Sequence, residues 1–481
     1  MLSERLNTNR IAYVLFHLSQ HFECDSDLRL CFFDSDNPTS RSFYYLAIDG
    51  KLVELPVMSS DPCIYFPLTA NKADYVTRVE HKGRNIPVLF PLHEDICIYE
   101  FDENSNLIFR HDLLKAAFLI LSGYQETLGD ETDVHGRYRY EDSLQKQLNI
   151  TTIPVVNYYF DLIVEGLSGF CQKHGIGFRR KRLFENFGFL LSHDVDRIAF
   201  YHPREVAFKL KQLLGMAPLY YSKSDTLKLF FKGILYNINP LHGEDPWWNF
   251  GMMTELEKKL GLRSSFYFLE KNNGHFDSRY TFRTARIRRL INRLNEEGFE
   301  TGLHGSYNSA FSKEALCEEL NSFTNNTGIK PVGIRQHFLR LRYPDTLLYQ
   351  EELGFEYDTS LAFAEHEGFR NGYCYPFRPY DFDKDRMAMI WEFPLMLMEV
   401  SILGEGYRNL PYTEIGNCAM TLIDEVRKFG GFFSMLWHNC RLDESLYPGI
   451  TNYYRTLLED IIKLQPEALT GKDLLNIIKE E

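Results

Sequence analysis

At 481 residues the chain has room for two or three domains, each able to bury a core. Its composition, 44% apolar and 25% charged, is that of an ordinary globular protein. A formal net charge of −13 excludes a nucleic-acid partner as the natural reading, because binding phosphates calls for clustered Lys and Arg.

Residues 1–10 are polar and lack the apolar core of a signal peptide, so the expectation is a cytoplasmic protein. Over residues 1–110, short apolar runs alternate with turn clusters. Segments 30–33, 44–47, 63–66 and 86–90 are predicted strands, and 96–101 with 107–109 a hairpin about the turn at 102–106. Together they make a small α/β accessory domain without a catalytic constellation. Residues 111–185 are predicted to form a helical connector, with Asp112 capping a helix over 113–127 and a second helix over 155–173. Its most apolar stretch, 113–121, is too short to span a bilayer and carries Lys115, so no membrane span is expected. Between the helices, Asp133-Val134-His135-Gly136-Arg137 reads as a structural polar turn in preference to an arm reaching an active site. The basic run Arg179-Arg180-Lys181-Arg182 reads as a solvated loop.

From 186 to 481, strands alternate with amphipathic helices, the pattern of a parallel α/β fold. Strands are predicted at 188–193, 264–269, 299–304, 332–338, 391–395 and 431–437, and helices at 284–297 and 313–324, with a helical insertion near 201–238. The nine cysteines are scattered, form no CxxC pair and fit free thiols in a reducing compartment. No nucleophile elbow, HExxH, P-loop or dinucleotide fingerprint occurs.

Five polar clusters end successive strands of this half. In Asp194-Val195-Asp196, alternation along a strand puts both carboxylates on one side, and strand C-termini are where α/β barrels keep their chemistry. One carboxylate can bind a metal while the other serves as a base. In His304-Gly305-Ser306-Tyr307-Asn308, His304 and Asn308 share a face if the chain turns helically. In Arg335-Gln336-His337 the outer two share a strand face. Trp391-Glu392 puts a carboxylate near another strand, and Leu436-Trp437-His438 delivers a titratable histidine suited to general acid work. Singly, the acid pair is as readily a solvated turn or an N-cap pair, a lone His304 is more often structural, and the last three clusters are as well explained by a surface ion pair or a satisfied buried polar group.

Together the motifs resemble those of the polysaccharide deacetylases of carbohydrate esterase family 4, over about residues 186–481. Runs similar to Asp133–Arg137, His304–Asn308, Arg335–His337 and Leu436-Trp437-His438-Asn439 recur in cytoplasmic-type bacterial relatives that carry an extra N-terminal region. The resemblance implies a distorted (β/α) barrel with one divalent metal, usually zinc, with cobalt or manganese as alternatives. It implies an acetylated carbohydrate substrate, with Asp196 and His304 as metal ligands and Asp194 as general base. His438 would protonate the departing amine, Arg335 would hold Asp194, and Glu392 would tune Arg335 or His438. The family's second metal histidine is replaced by Asn308, and an amide oxygen is a poor zinc ligand. Asn308 binds weakly, His337 substitutes for it, or the site is lost; His337 is the expected substitute. His193 faces away from Asp194 under strict alternation. The leading expectation is a metal-dependent hydrolase cleaving an N-acetyl group from an amino sugar. The alternative is an inactive carbohydrate-binding or scaffold protein on a degenerate deacetylase fold; a two-carboxylate glycosidase fits the histidines less well.

Overall fold

The structure is a computed structural model that describes residues 2–25, 28–33, 42–48, 51–57, 76–89, 97–101, 103, 105, 107–129, 131–239, 245–270 and 276–480. The expected strand at 63–66 lies outside these, as do Phe90, Ile96 and part of the 102–106 turn. A helix, Leu2–Leu18, precedes the first strands, an element the polar opening did not announce. Strands Leu28–Phe33, Ser42–Ile48 and Lys51–Val57 follow as an antiparallel meander. Leu107–Phe109 then pairs parallel to the third of them and antiparallel to Tyr99–Phe101. Val76–His81 and Arg84–Leu89 form a separate hairpin.

The helix capped by Asp112, whose carboxylate accepts from the Lys115 amide at 2.9 Å, runs Leu113–Leu121 and is shorter than expected. Gly123, at φ +68°, breaks it, and Tyr124–Thr127 continues only as a 3₁₀ turn. The second helix is Val155–His174, closed by Gly175 in the left-handed region.

The C-terminal half is built on eight parallel strands: β1 (Gly188–Val195), β2 (Ser265–Leu269), β3 (Glu300–Gly305), β4 (Gly333–Gln336), β5 (Tyr357–Asp358), β6 (Trp391–Glu392), β7 (Leu397–Met398) and β8 (Phe432–Leu436). Their spatial order is β6-β5-β4-β3-β2-β1-β8-β7, and a short ninth strand, Glu467–Leu469, pairs with the start of β1. The two edges, β6 and β7, are consecutive pieces of one segment. That segment pairs with β5 at Trp391 and Glu392 and with β8 at Leu397 and Met398, so the sheet curls round on itself into a distorted barrel. The change of partner falls at Pro394, which has no N–H to donate. There the Ser434 hydroxyl bridges the two sides, donating to the Pro394 carbonyl at 2.6 Å and accepting from the Met396 amide at 2.9 Å.

The barrel interior is filled, not open. Tyr267 and Tyr357 meet across it with their hydroxyls 2.9 Å apart. Two strand positions are glycine for that reason: a Cβ on Gly302 would lie 2.6 Å from the Tyr267 ring, and one on Gly333 would lie 2.0 Å from that of Tyr357. Below them, Glu300 accepts from Ser265, from Tyr357 and from the Lys472 amide at the start of the last helix, which stops the lower end. The upper, C-terminal end is left for polar groups.

Candidate metal centre

Along β1, Ser192 and Asp194 point into the barrel mouth and Asp196 follows just past the strand. His193 points outward, where its ring nitrogens meet the Trp437 carbonyl at 2.7 Å and Glu257 at 3.0 Å. From β3, His304 brings its Nε2 to 3.3 Å from Asp196 Oδ1 and 3.6 Å from Asp194 Oδ2. Its Nδ1 is 2.9 Å from the Arg335 carbonyl oxygen, which can only accept, so Nδ1 carries the proton and Nε2 keeps its lone pair. Beyond β4 the chain turns sharply at Phe338, φ +64°, and His337 Nε2 arrives 3.6 Å from Asp196 Oδ2. Behind it stands Asp277, 3.5 Å from His337 Nδ1, held by the Tyr307 amide at 2.8 Å. After β8, His438 Nε2 lies 3.7 Å from Asp196 Oδ2, and Glu399 accepts from His438 Nδ1 at 2.7 Å.

Arg335 is fully buried beneath this cluster, lying over the Tyr267 ring at 4.8 Å. It donates to Asp194 Oδ1 (3.1 Å), Ser192 Oγ (2.9 Å) and the Thr359 carbonyl (2.9 Å), so one Asp194 oxygen is committed and the other faces the mouth. The Asp196 side chain keeps 21% of its exposure, which makes it the point where the cluster meets solvent.

The ligand atoms of Asp196, His304 and His337 all lie within 4.8 Å of one another. Asp196 Oδ1 and His304 Nε2 are buried without a hydrogen-bond partner, an arrangement that costs stability unless something binds there. A carboxylate and two imidazoles are the donor set of a catalytic zinc site with a position left open, so these residues fit such an ion. Burial would raise the Asp196 carboxyl, but the charge of His337, with the neighbouring imidazoles of His304 and His438, holds it well below the usual carboxylate range. Burial would lower His337, yet Asp196 and then Asp277 push it up to about 9. His438 is also pushed up to about 9, against burial, by Glu399 and then by Asp196 and Asp194. A cation binding among these groups would displace protons held on the ring nitrogens.

Asn308 lies on an exposed turn outside this cluster, because β3 ends at Gly305 and the turn that follows carries it outward. Glu392 touches neither Arg335 nor His438. It is fully buried lower in the wall, where its carboxylate accepts from the Leu361 amide at 3.1 Å, and burial together with neighbouring Asp358 holds its carboxyl well above the usual range. The partner of His438 is Glu399, which the sequence reading missed because it follows β7, a strand of two residues without detectable periodicity. Asp277 was missed because it sits in an irregular stretch with no motif around it. The Asp133–Arg137 turn is structural and also abuts the site: Arg137 pairs with Asp133 and donates to the Phe338 carbonyl at 2.8 Å, while His135 Nδ1 meets the Tyr307 hydroxyl at 3.2 Å.

Residues 3–171 match the model of a family of unknown function, DUF7033. No curated protein sequence matches the chain. Solved structures similar to it include a protein assigned as a polysaccharide deacetylase from Mycobacterium smegmatis, 14% identical, with 61% of this chain and 91% of that one covered and a TM-score of 0.40. Another, assigned as a polysaccharide deacetylase from Pseudomonas aeruginosa PAO1, is 13% identical over 62% of this chain and 92% of its own, at a TM-score of 0.39. The allantoinase Puue is 13% identical over 62% and 91%, also at 0.39.

Proposed function

We propose that this protein is a metal-dependent hydrolase that removes an N-acetyl group from an amino sugar within a poly- or oligosaccharide or its precursor. One observation carries the reading: a donor set, Asp196, His304 and His337, in which Asp196 Oδ1 and His304 Nε2 are orphaned, lies between the free oxygen of Asp194 and the Glu399-held ring of His438. Those three residues would hold the cation, which when bound supplies Lewis acidity towards the acetyl carbonyl and lowers the pKa of water. Zinc suits the donors best, with cobalt and manganese as alternatives.

The chain's own groups divide the proton work. Asp194 takes a proton from the attacking water on Oδ2, while Arg335 fixes Oδ1 and so sets the direction of the other oxygen. His438 gives a proton from Nε2 to the departing amine, and Glu399 keeps that nitrogen aimed into the mouth by holding Nδ1. Acetate and a free amine are the products. The carbohydrate part of the reading is supported by the motifs that resemble those of carbohydrate esterase family 4. Among the described cysteines none is in a disulfide, which supports a reducing, cytoplasmic compartment.

The test is acetate release from N-acetylated oligosaccharides with zinc, cobalt or manganese added. Release that depends on the metal and is lost in Asp194→Asn is the expected result. No release with any of the three ions, and no stoichiometric metal in the purified protein, would favour a carbohydrate-binding scaffold instead.

A further inference from the structure

Two helices, Pro203–Leu213 and Lys223–Ile238, form a hairpin that leaves the barrel mouth directly after Asp196. Their inner faces are tightly joined, since a Cβ on Gly233 would come within 2.5 Å of Val206. The hairpin is pinned on both sides of the site. Asn237 donates to the Tyr201 carbonyl at 2.7 Å, in the segment leaving Asp196, and the Tyr221 hydroxyl donates to Asp443 at 2.8 Å, in the segment leaving His438.

The outer face is apolar. Leu227, Phe231, Leu235 and Ile238 follow one another at intervals of three and four, which lines them up along one stripe of the second helix. All four are exposed, Phe231 at 55% and Ile238 at 76%, and Leu210 and Leu214 extend the surface on the first helix. Of the fourteen large apolar side chains exposed among the described residues, nine lie in this hairpin. Scattered exposed apolar residues need no explanation, but this concentration marks an interaction surface.

The charge around it is as uneven. Arg204, Lys211, Lys223, Lys228 and Lys232 are all exposed here. The two acids of the segment, Glu205 and Asp225, are already paired with Arg279 and Lys228. A chain of net charge −13 thus presents one positive, apolar face. An isologous dimer through this face would set the same lysine rows against each other. Anionic headgroups attract the lysines while the acyl boundary accepts the Leu and Phe side chains, as for helices lying in the plane of a bilayer. Among the described residues no helix is long and apolar enough to cross a membrane, so the contact is peripheral.

We propose that the 203–238 hairpin docks the barrel mouth onto an anionic lipid surface. Where the hydrolase reading of the site also holds, and this clause rests on it, the substrate is an acetylated amino sugar presented at that surface, such as one attached to a lipid.

The test is co-sedimentation of the full chain with vesicles of phosphatidylcholine alone and of phosphatidylcholine with about a third phosphatidylglycerol. Binding to the anionic vesicles only, weakened by salt, is expected. The Leu227→Ser, Phe231→Ser, Leu235→Ser triple variant should bind them at least about tenfold more weakly with an unchanged melting temperature. A wild-type chain that stays in the supernatant with both vesicle types overturns the proposal. So does a triple variant that binds as wild type, or a wild-type dimer in solution that the triple variant dissolves while neither binds vesicles. Turnover of a soluble acetylated sugar is measured separately: its absence would count against the hydrolase reading and leave the vesicle result standing.

Discussion

Asp194 and Asp196 are two residues apart and face the same cavity, but their neighbours differ. Asp194 is anchored by the buried Arg335 guanidinium, and Asp196 is surrounded by three imidazoles. Asp194→Asn should therefore lower acetate release by at least about 100-fold, the scale of a lost general base. It should also destabilise the fold by about 3 kcal/mol, because Arg335 is left buried without its counter-charge. Kinetics and urea unfolding of the same preparation read both effects, and an unchanged zinc content would separate base from ligand. His337→Ala should weaken zinc binding at least about 100-fold in a calorimetric titration, while Asn308→Ala leaves it unchanged. The reverse result would return the third ligand to Asn308. The placing of Asp194 and Asp196 was legible because strand alternation is a rule of backbone geometry. The placing of Asn308 was not, since a four-residue spacing specifies a shared face only if the turn is helical, and here β3 runs on to Gly305 before the chain swings out.

At the level of elements, the turn after β3 is held by a group from another helix. Glu319, on Lys313–Thr327, accepts from the Ser306 amide at 2.9 Å and lies beside Asp277. Burial raises its carboxyl to about 7, with the Ser306 hydrogen bonds opposing. Below pH 4.5 the carboxyl is protonated in both folded and unfolded chains and its contribution is fully present. Between there and about 7 only the folded chain holds the proton, so stability falls as pH rises, by roughly 3 kcal/mol in total. Urea unfolding across that range should show the loss in the wild type, Glu319→Gln should lack it, and the difference between the two should therefore carry the slope. Gly333→Ala, whose new methyl would meet the Tyr357 ring, should cost about 1–3 kcal/mol in the same assay. Long strands such as β1 and β8 announced themselves in the sequence as apolar runs. The pieces β5, β6 and β7 have two residues each and are specified by their partners; β6 fell within the strand expected at 391–395, cut short where Pro394 and Ser434 mark the exchange, while no local period betrays β5 and β7.

For the molecule as a whole, the question is whether residues 186–481 stand alone, as their strand–helix alternation suggests. The contacts argue against it. The segment between β5 and β6 is held from outside the barrel: the Cys374 amide donates to Asn157 at 2.9 Å, the Val156 amide donates to the Gly372 carbonyl at 2.8 Å, and Asn371 donates to the Leu121 carbonyl at 2.9 Å. Gly372, at φ +61°, sits where a Cβ would lie 2.9 Å from Val155 and 3.0 Å from Ile120. Arg370 is buried in a two-bond pair with Glu126, at 2.6 and 2.9 Å. Even the first helix takes part, through His17, which accepts from the Arg378 amide at 3.1 Å. The helices Leu113–Leu121 and Val155–His174 share one buried apolar cluster with the barrel strands. Cutting at 186 would leave Arg370 without its carboxylate, which alone costs about 3–5 kcal/mol where a whole domain is stable by about 5–15 kcal/mol. It would also bare the apolar faces these helices cover. A chain of residues 186–481 should therefore be insoluble or lack a cooperative melt, whereas in the full chain the helices of 113–174 and the barrel should unfold in one transition, seen as coincident curves by tryptophan fluorescence and far-UV dichroism. A shortened chain that melts cooperatively and binds zinc as the full chain does would show that the barrel carries its own core, and that the helices of 113–174 only cover it.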